Sequence, residues 1–176
     1  SKEYVENSFN ASYGLLALGL NKGDKVATIT NNRPEWNFLD MGLAQAGIIH
    51  VPLFTNLSPE GYAAIFNHAE VKAVFVANKA LHQTIQSILD TAKTVVNVFT
   101  FDEVDGARNW KEVLELGKQK ESDFKETISQ NIIATQPTDP VTLIYTSGTT
   151  GNSKGVLLSH QNLVTNAIAC ANVFKL

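Results

Sequence analysis

Tyr145-Thr146-Ser147-Gly148-Thr149-Thr150-Gly151-Asn152-Ser153-Lys154-Gly155 is the stretch from which the rest of the chain can be read. Apart from Tyr145 and Asn152 it consists of glycine, serine, threonine and one lysine. Glycines at 148, 151 and 155 allow a backbone to curl and turn its N–H groups inward. The hydroxyls of Thr146, Ser147, Thr149 and Thr150 add donors, and Lys154 adds a mobile positive charge. Many donors around one cation suit a polyphosphate, the anion that most rewards several N–H contacts at once. On either side, Val141–Tyr145 and Gly155–Ser159 are short apolar runs that read as buried strands. The loop is therefore expected to join two strands that hold it at both ends. Held ends matter, because donors that must be ordered on binding lose affinity.

The phosphate loop of nucleoside triphosphatases, Gly-x4-Gly-Lys-[Ser/Thr], is the obvious comparison, and it fails. Counting from Gly148, its second glycine falls on Ser153, and Gly155 follows the lysine where Ser or Thr should bind magnesium. A strand-like run follows, where that loop requires a helix. The stretch instead resembles the signature of adenylate-forming enzymes, Tyr-Thr-Ser-Gly-Thr-Thr-Gly-x-Pro-Lys-Gly-Val. Ser153 replaces the usual proline, and Leu157-Leu-Ser-His-Gln-Asn-Leu163 continues the likeness.

The chain has 176 residues, of which 44% are apolar and 18% charged, enough to bury a sizeable core as one domain or part of one. Its net charge of -3, without any lysine or arginine cluster, argues against a nucleic-acid partner. Cys170 is the only cysteine, which leaves no disulfide framework and no cysteine metal set; a buried helix thiol is its bland reading. No apolar run approaches the ~20 residues needed to cross a bilayer. A reducing, cytoplasmic setting is expected, with at most a peripheral membrane contact, although no basic amphipathic helix supports one. Both ends fall within helical patterns, so the chain reads as a fragment of a longer enzyme.

Read in order, the pattern alternates. A helix is expected over 2–18, with Val5, Phe9, Tyr13 and Leu16 on one face, stopped by Gly19 and Gly23. Strand 25–30, helix 35–46 and strand 48–52 follow, with a turn at Asn31–Pro34 and Gly47 ending the helix. Ser58-Pro59 has the form of an N-cap with proline just inside a helix that runs to about His68. Strand 73–77, helix 79–90 and strand 94–99 complete a βαβ core over residues 1–100. Short connections of this kind build a parallel sheet flanked by helices, an α/β fold. Residues 101–140 read as a variable helical connection. It has a helix over 103–117 and a charged, solvated stretch over 118–126, and Ile128, Ile132 and Ile133 are its apolar anchors. Residues 141–176 hold the loop hairpin and a helix from His160 towards Phe174, capped by Ser159, with Leu163, Ala167, Cys170 and Phe174 on one face.

The remaining candidates are weaker. His50 lies within a strand and reads as a packed histidine more readily than a catalytic one. His68 and His82 lie on helices without a cysteine or carboxylate at ligand spacing and read as surface residues. His160 follows a helix cap, where the positive dipole end disfavours an imidazolium, so its role reads as structural. Asn31–Trp36 could face a ligand at a strand's carboxyl end, the usual site location in such sheets, or could simply close a turn. No carboxylate pair is placed for glycoside chemistry, and Ser147 lacks the Gly-x-Ser-x-Gly elbow of a hydrolase nucleophile.

Beyond the loop, the chain resembles the N-terminal part of long-chain fatty acyl-CoA synthetases. The likeness is carried by Leu15-Leu-Ala-Leu-Gly-Leu-Asn-Lys-Gly-Asp-Lys-Val26, Asn32-Arg-Pro-Glu-Trp36, Ala46-Gly-Ile-Ile-His-Val-Pro-Leu53 and Leu57-Ser-Pro59, in family order. It implies part of the large N-terminal domain of an adenylate-forming enzyme. Such an enzyme activates a fatty acid with ATP and Mg2+ to an acyl-adenylate, then passes the acyl group to coenzyme A as co-substrate. Thr146, Ser147, Gly148, Thr149, Thr150, Gly151, Lys154 and Gly155 would contact the ATP phosphates, with Thr146 also at the metal. No catalytic residue falls within this fragment, and the C-terminal domain is absent from it, so the fragment alone is expected to be inactive. Related readings are an aryl or short-chain acyl-CoA ligase, an adenylation domain of peptide synthesis, or a non-catalytic phosphate-binding α/β module. The partners implied are small molecules, with assembly into a homo-oligomer left open.

Overall fold

The structure is a computed structural model that describes residues 2–146 and 153–174. Twelve elements follow one another: α1 (Lys2–Ala17), β1 (Lys25–Ile29), α2 (Pro34–Ala46), β2 (Ile49–Leu53), α3 (Pro59–Ala69), β3 (Val71–Val76), α4 (Lys79–Gln86), β4 (Asn97–Thr100), α5 (Lys111–Ala134), β5 (Pro140–Thr146), β6 (Lys154–Ser159) and α6 (His160–Phe174). The described strands form one sheet in the order β4-β3-β1-β2-β5-β6. Every neighbouring pair is parallel except β5 with β6, the expected hairpin. The fold is the mostly parallel α/β sheet that the alternation implied.

Alternation along each strand sends side chains to two cores, because successive residues point to opposite faces. Val26, Ala73, Phe75 and Phe99 pack with Leu15, Leu39, Leu43 and Trp110 from α1, α2 and the start of α5. Ala27, Ile29, Val51, Val74 and Val76 pack with Tyr62, Phe66 and Ile85 from α3 and α4. These strands are covered on both faces, which accounts for their unbroken apolar runs.

The helix boundaries follow local chemistry. Ser58 Oγ accepts from the Gly61 N–H at 3.1 Å, with Pro59 at the first helical position. Asn78 caps α4 in the same way through Leu81 N–H. Gly47 ends α2 at φ 70°, a left-handed conformation that a side chain would resist. Helix α4 is shorter than its pattern, stopping at Gln86, and β4 lies later than expected, at 97–100.

The largest departure is α5. It begins at Lys111, eight residues after the expected start, and continues through the charged stretch to Ala134. The charges are its solvent face, laced by Lys118–Glu115, Lys120–Asp123 and Lys125–Glu121. A narrow stripe of Val113, Leu114, Gly117, Phe124 and Ile128 faces the core. Of the three isoleucine anchors only Ile128 is buried; Ile132 and Ile133 are exposed.

Two further expectations are corrected. Strand β6 is exposed along most of its length, and α6 buries no residue, so Cys170 is an exposed rather than a buried thiol. The reason is geometric: β6 is the sheet's edge, and no described helix lies over it or over α6. Ser159 does cap α6, exchanging bonds with Asn162.

Helices α1 and α5 meet backbone to backbone. A Cβ on Gly117 would fall 1.8 Å from Asn10 O, and one on Gly14 would fall 2.0 Å from Val113 O. Gly117→Ala must therefore drive the two helices apart. It is expected to lower stability by about 1–3 kcal/mol in urea unfolding, the usual scale of overpacking; an unchanged midpoint would mean the contact is not close.

Candidate functional site

The connections leaving β1 and β2 depart in opposite directions. From β1 the chain turns into α2 on one face, and from β2 it turns into α3 on the other. Adjacent parallel strands with divergent connections leave a crevice beyond their carboxyl ends. A cavity of about 640 Å3 opens there. Its walls are Thr30, Asn31, Asn32 and Trp36 after β1, Pro52 to Thr55 at the end of β2, and Ile144 and Tyr145 of β5.

The Asn31–Trp36 segment serves both readings weighed for it. Asn31, Asn32 and Trp36 line the cavity, while Arg33 closes the turn. Its guanidinium grips Glu35 through Nε and Nη2 at 3.0 and 3.2 Å and Asp102 through Nη1 at 2.9 Å, lying over the Phe101 ring. This clasp ties the first lip of the cavity to the loop after β4. Its hydrogen bond to Arg33 holds the Glu35 carboxyl below its ordinary value of 4.5.

Under the cavity wall lies a buried polar chain. His50 is 2% exposed, its Nδ1 2.6 Å from Asp40 Oδ1 and its Nε2 2.8 Å from Thr28 Oγ1. A carboxylate only accepts, so Nδ1 carries a proton and donates to Asp40. In the tautomer that carries its proton on Nδ1 alone, Nε2 accepts from Thr28 O–H. Trp36 Nε1–H in turn donates to Thr28 Oγ1 at 3.0 Å. Every polar group is used, which is what a buried imidazole needs. His50 is thus the packed strand histidine, and its network sets the indole against the cavity.

The hairpin stem rises beside this cavity. Thr146 and Lys154, eight residues apart in sequence, face each other across β5 and β6, and both are exposed. Lys154 forms no ion pair among the described residues, so its charge is available. Gly155 pairs with Tyr145, and a Cβ there would meet Tyr145 Cζ at 3.3 Å, so glycine lets β6 lie against the ring. Of the eight positions expected to contact phosphate, Thr146, Lys154 and Gly155 come together at this stem. Ser147, Gly148, Thr149, Thr150 and Gly151 lie outside the described residues.

His68 is exposed, as expected, yet its Nδ1 meets the Tyr145 hydroxyl at 2.6 Å. The His82 ring meets its helix neighbour Gln86, and His160 takes part in the junction of α6, its N–H donating to Asp139 O. Sequence reasoning missed the second lip, Pro52 to Thr55. The signal was present, since those residues follow the strand adjacent to β1. No described group of three or more metal-ligating residues gathers anywhere.

The sequence from residue 2 to 176 matches the family described as AMP-binding enzyme. The chain belongs to that family. Fatty acyl-CoA synthetase A of Dictyostelium discoideum is 34% identical over 171 residues, covering 93% of this chain and 25% of that protein. Long-chain-fatty-acid–CoA ligase ACSBG2 of Xenopus laevis is 33% identical, covering 99% of this chain and 24% of its own length. Among solved structures, ATP-bound MatB from Rhodopseudomonas palustris superposes with a TM-score of 0.76 at 28% identity, over 97% of this chain and 31% of that one. The anthranilate CoA ligase AuaEII, in complex with anthranoyl-AMP, shares the fold with a TM-score of 0.74 at 20% identity, over 92% of this chain and 28% of that one. The chain therefore spans about a quarter of the length of the curated relatives it matches.

Because Glu35 titrates below its ordinary value in the folded chain, its clasp with Arg33 stabilises above that value and is lost as pH falls through the lowered one. In thermal melts, Glu35→Gln is expected to lower Tm most above the ordinary carboxyl value of 4.5, with the gap to wild type closing as the pH falls below it. A gap that stays constant with pH would exclude the clasp as its source.

Proposed function

We propose that this AMP-binding enzyme chain carries the phosphate-binding part of a ligase. That ligase would activate a long-chain fatty acid with ATP to an acyl-adenylate and then transfer the acyl group to coenzyme A. The observation that carries the reading is the stem geometry: Lys154, without an ion pair among the described residues, stands opposite Thr146, the residue after the Tyr145 that lines the switch-point cavity. The relatives named as a fatty acyl-CoA synthetase and a long-chain-fatty-acid–CoA ligase support the acid's class, and the ATP-bound neighbour supports the nucleotide.

The difficulty of the first step is charge. A carboxylate must approach the α-phosphorus of a polyanion, and pyrophosphate must leave with its charge offset. Lys154 supplies a point charge, and Thr146 supplies a hydroxyl beside it. Ser147, Gly148, Thr149, Thr150, Gly151 and Gly155 add hydroxyls and backbone N–H groups to the same anion. A magnesium ion, if held there by Thr146, would offset further charge on the phosphates. The other groups that such chemistry requires are expected elsewhere in the longer protein.

In the full-length enzyme, Lys154→Ala and Thr146→Ala are each expected to slow ATP–pyrophosphate exchange with a fatty acid by roughly ten- to a thousandfold, the scale of one lost charge-stabilising contact. Exchange at the wild-type rate in both would overturn the phosphate assignment. A panel of acids of different chain length separates a long-chain enzyme from aryl and short-chain ligases. The isolated chain of 176 residues is expected to show no exchange, and turnover by it would mean that the reaction needs nothing beyond these elements.

A further inference from the structure

His68 and Tyr145 are 77 residues apart and meet beyond the second face of the sheet. The tyrosine ring is 7% exposed and packs in the core formed by α3 and α4. The imidazole stands edge-on to it, with centroids 5.8 Å apart at 84° and Nδ1 2.6 Å from the hydroxyl. Burial pushes the Tyr145 hydroxyl up from its ordinary value, so a protonated phenol is what faces the imidazole. That phenol donates to Nδ1 when the ring proton is on Nε2.

The position of this bond gives it consequence. Tyr145 is the last buried residue of β5; Thr146, next in sequence, is exposed. The same ring lines the cavity and underlies Gly155 across the hairpin. Three constraints thus converge on one side chain: core packing, the close approach of β6, and a hydrogen bond from the last turn of α3. The first two act on the ring, and the third acts on its hydroxyl.

We propose that His68 is a positioning residue for nucleotide activation: by holding the Tyr145 hydroxyl it fixes the end of β5, and with it the placing of Thr146 opposite Lys154 and the β5 wall of the cavity. The inference rests on the phosphate-binding reading of the hairpin. It assigns His68 no contact with substrate.

The test uses the full-length enzyme, with ATP–pyrophosphate exchange measured as kcat and KM for ATP in His68→Ala, His68→Asn, Tyr145→Phe and His68→Ala/Tyr145→Phe, alongside Lys154→Ala. An asparagine Oδ1 occupies the place of Nδ1 and can accept from the phenol, so His68→Asn is the conservative control. His68→Ala and Tyr145→Phe are each expected to lower kcat/KM for ATP about three- to tenfold, the size of one hydrogen bond. The double variant should be no worse than either single one, because both remove the same bond. His68→Asn should stay within about twofold of wild type, and Tm should hardly move in any His68 variant, since the side chain is exposed. Wild-type kinetics in His68→Ala, additive losses in the double variant, or a loss in His68→Asn equal to that in His68→Ala would overturn the inference. Those results beside a slowed Lys154→Ala would leave the phosphate reading standing; unimpaired exchange in both Lys154→Ala and Thr146→Ala overturns both.

Discussion

Two neighbouring parallel strands cannot send their connections to opposite faces of a sheet without leaving a gap where the chains part. β1 and β2 are that pair: α2 lies on one side, α3 on the other, and the cavity lies between the departing loops. Right-handed crossovers fix this outcome once the strand order is set. β3 returns across β1 through α3, and β5 returns past β2 through α5. The second return matters most, because it brings β5 to the open side of β2 and sets the hairpin stem at the cavity's edge. The location of the site is therefore a consequence of winding, before any side chain is considered.

Side chains then decide how firmly the cavity keeps its shape. Each lip is tied by polar contacts to something rigid. Arg33 clasps the first lip to Asp102 after β4, and the Tyr62 hydroxyl donates to Phe54 O at 2.8 Å under the second. Trp36 is held through Thr28 and His50 to Asp40. Such groups add little net stability when paired, but they are costly to leave unpaired. Their effect is one of specification: alternative rotamers of Trp36 or of the lips would strand a buried donor or acceptor. Apolar packing alone, which tolerates repacking, would not discriminate so sharply.

The parts of this architecture that the sequence disclosed were those governed by local rules. The Ser58-Pro59 cap, the Gly47 stop, the four parallel strands and the antiparallel hairpin all follow from short-range chemistry or simple periodicity. The failures share a cause, which is burial set by distant neighbours. Nothing in residues 118–126 indicates that they continue a helix and turn Phe124 inward, because that depends on α1 lying against Gly117. Nothing in Val156-Leu157 indicates exposure, because that depends on β6 being an edge without a covering helix. Cys170 was misjudged for the same reason. The contact between His68 and Tyr145 spans two helices and two strands of sequence, beyond any pattern of spacing.

This separation between local and distant causes extends to the site itself. A loop of glycines and hydroxyls announces its chemistry through composition, and any fold could carry it. What composition leaves unsaid is aim. Aim comes from the stem, where the Thr146–Lys154 pair is fixed by the register of β5 on β6, and that register is in turn supported by Gly155 lying against Tyr145. Slipping β6 by one residue against β5 would send Lys154 to the other face of the sheet, away from Thr146. It would also set a side chain in place of Gly155 against the Tyr145 ring, so the glycine that permits the close approach also excludes the wrong register. A residue chosen for the absence of a side chain thus constrains where the charge beside it can stand.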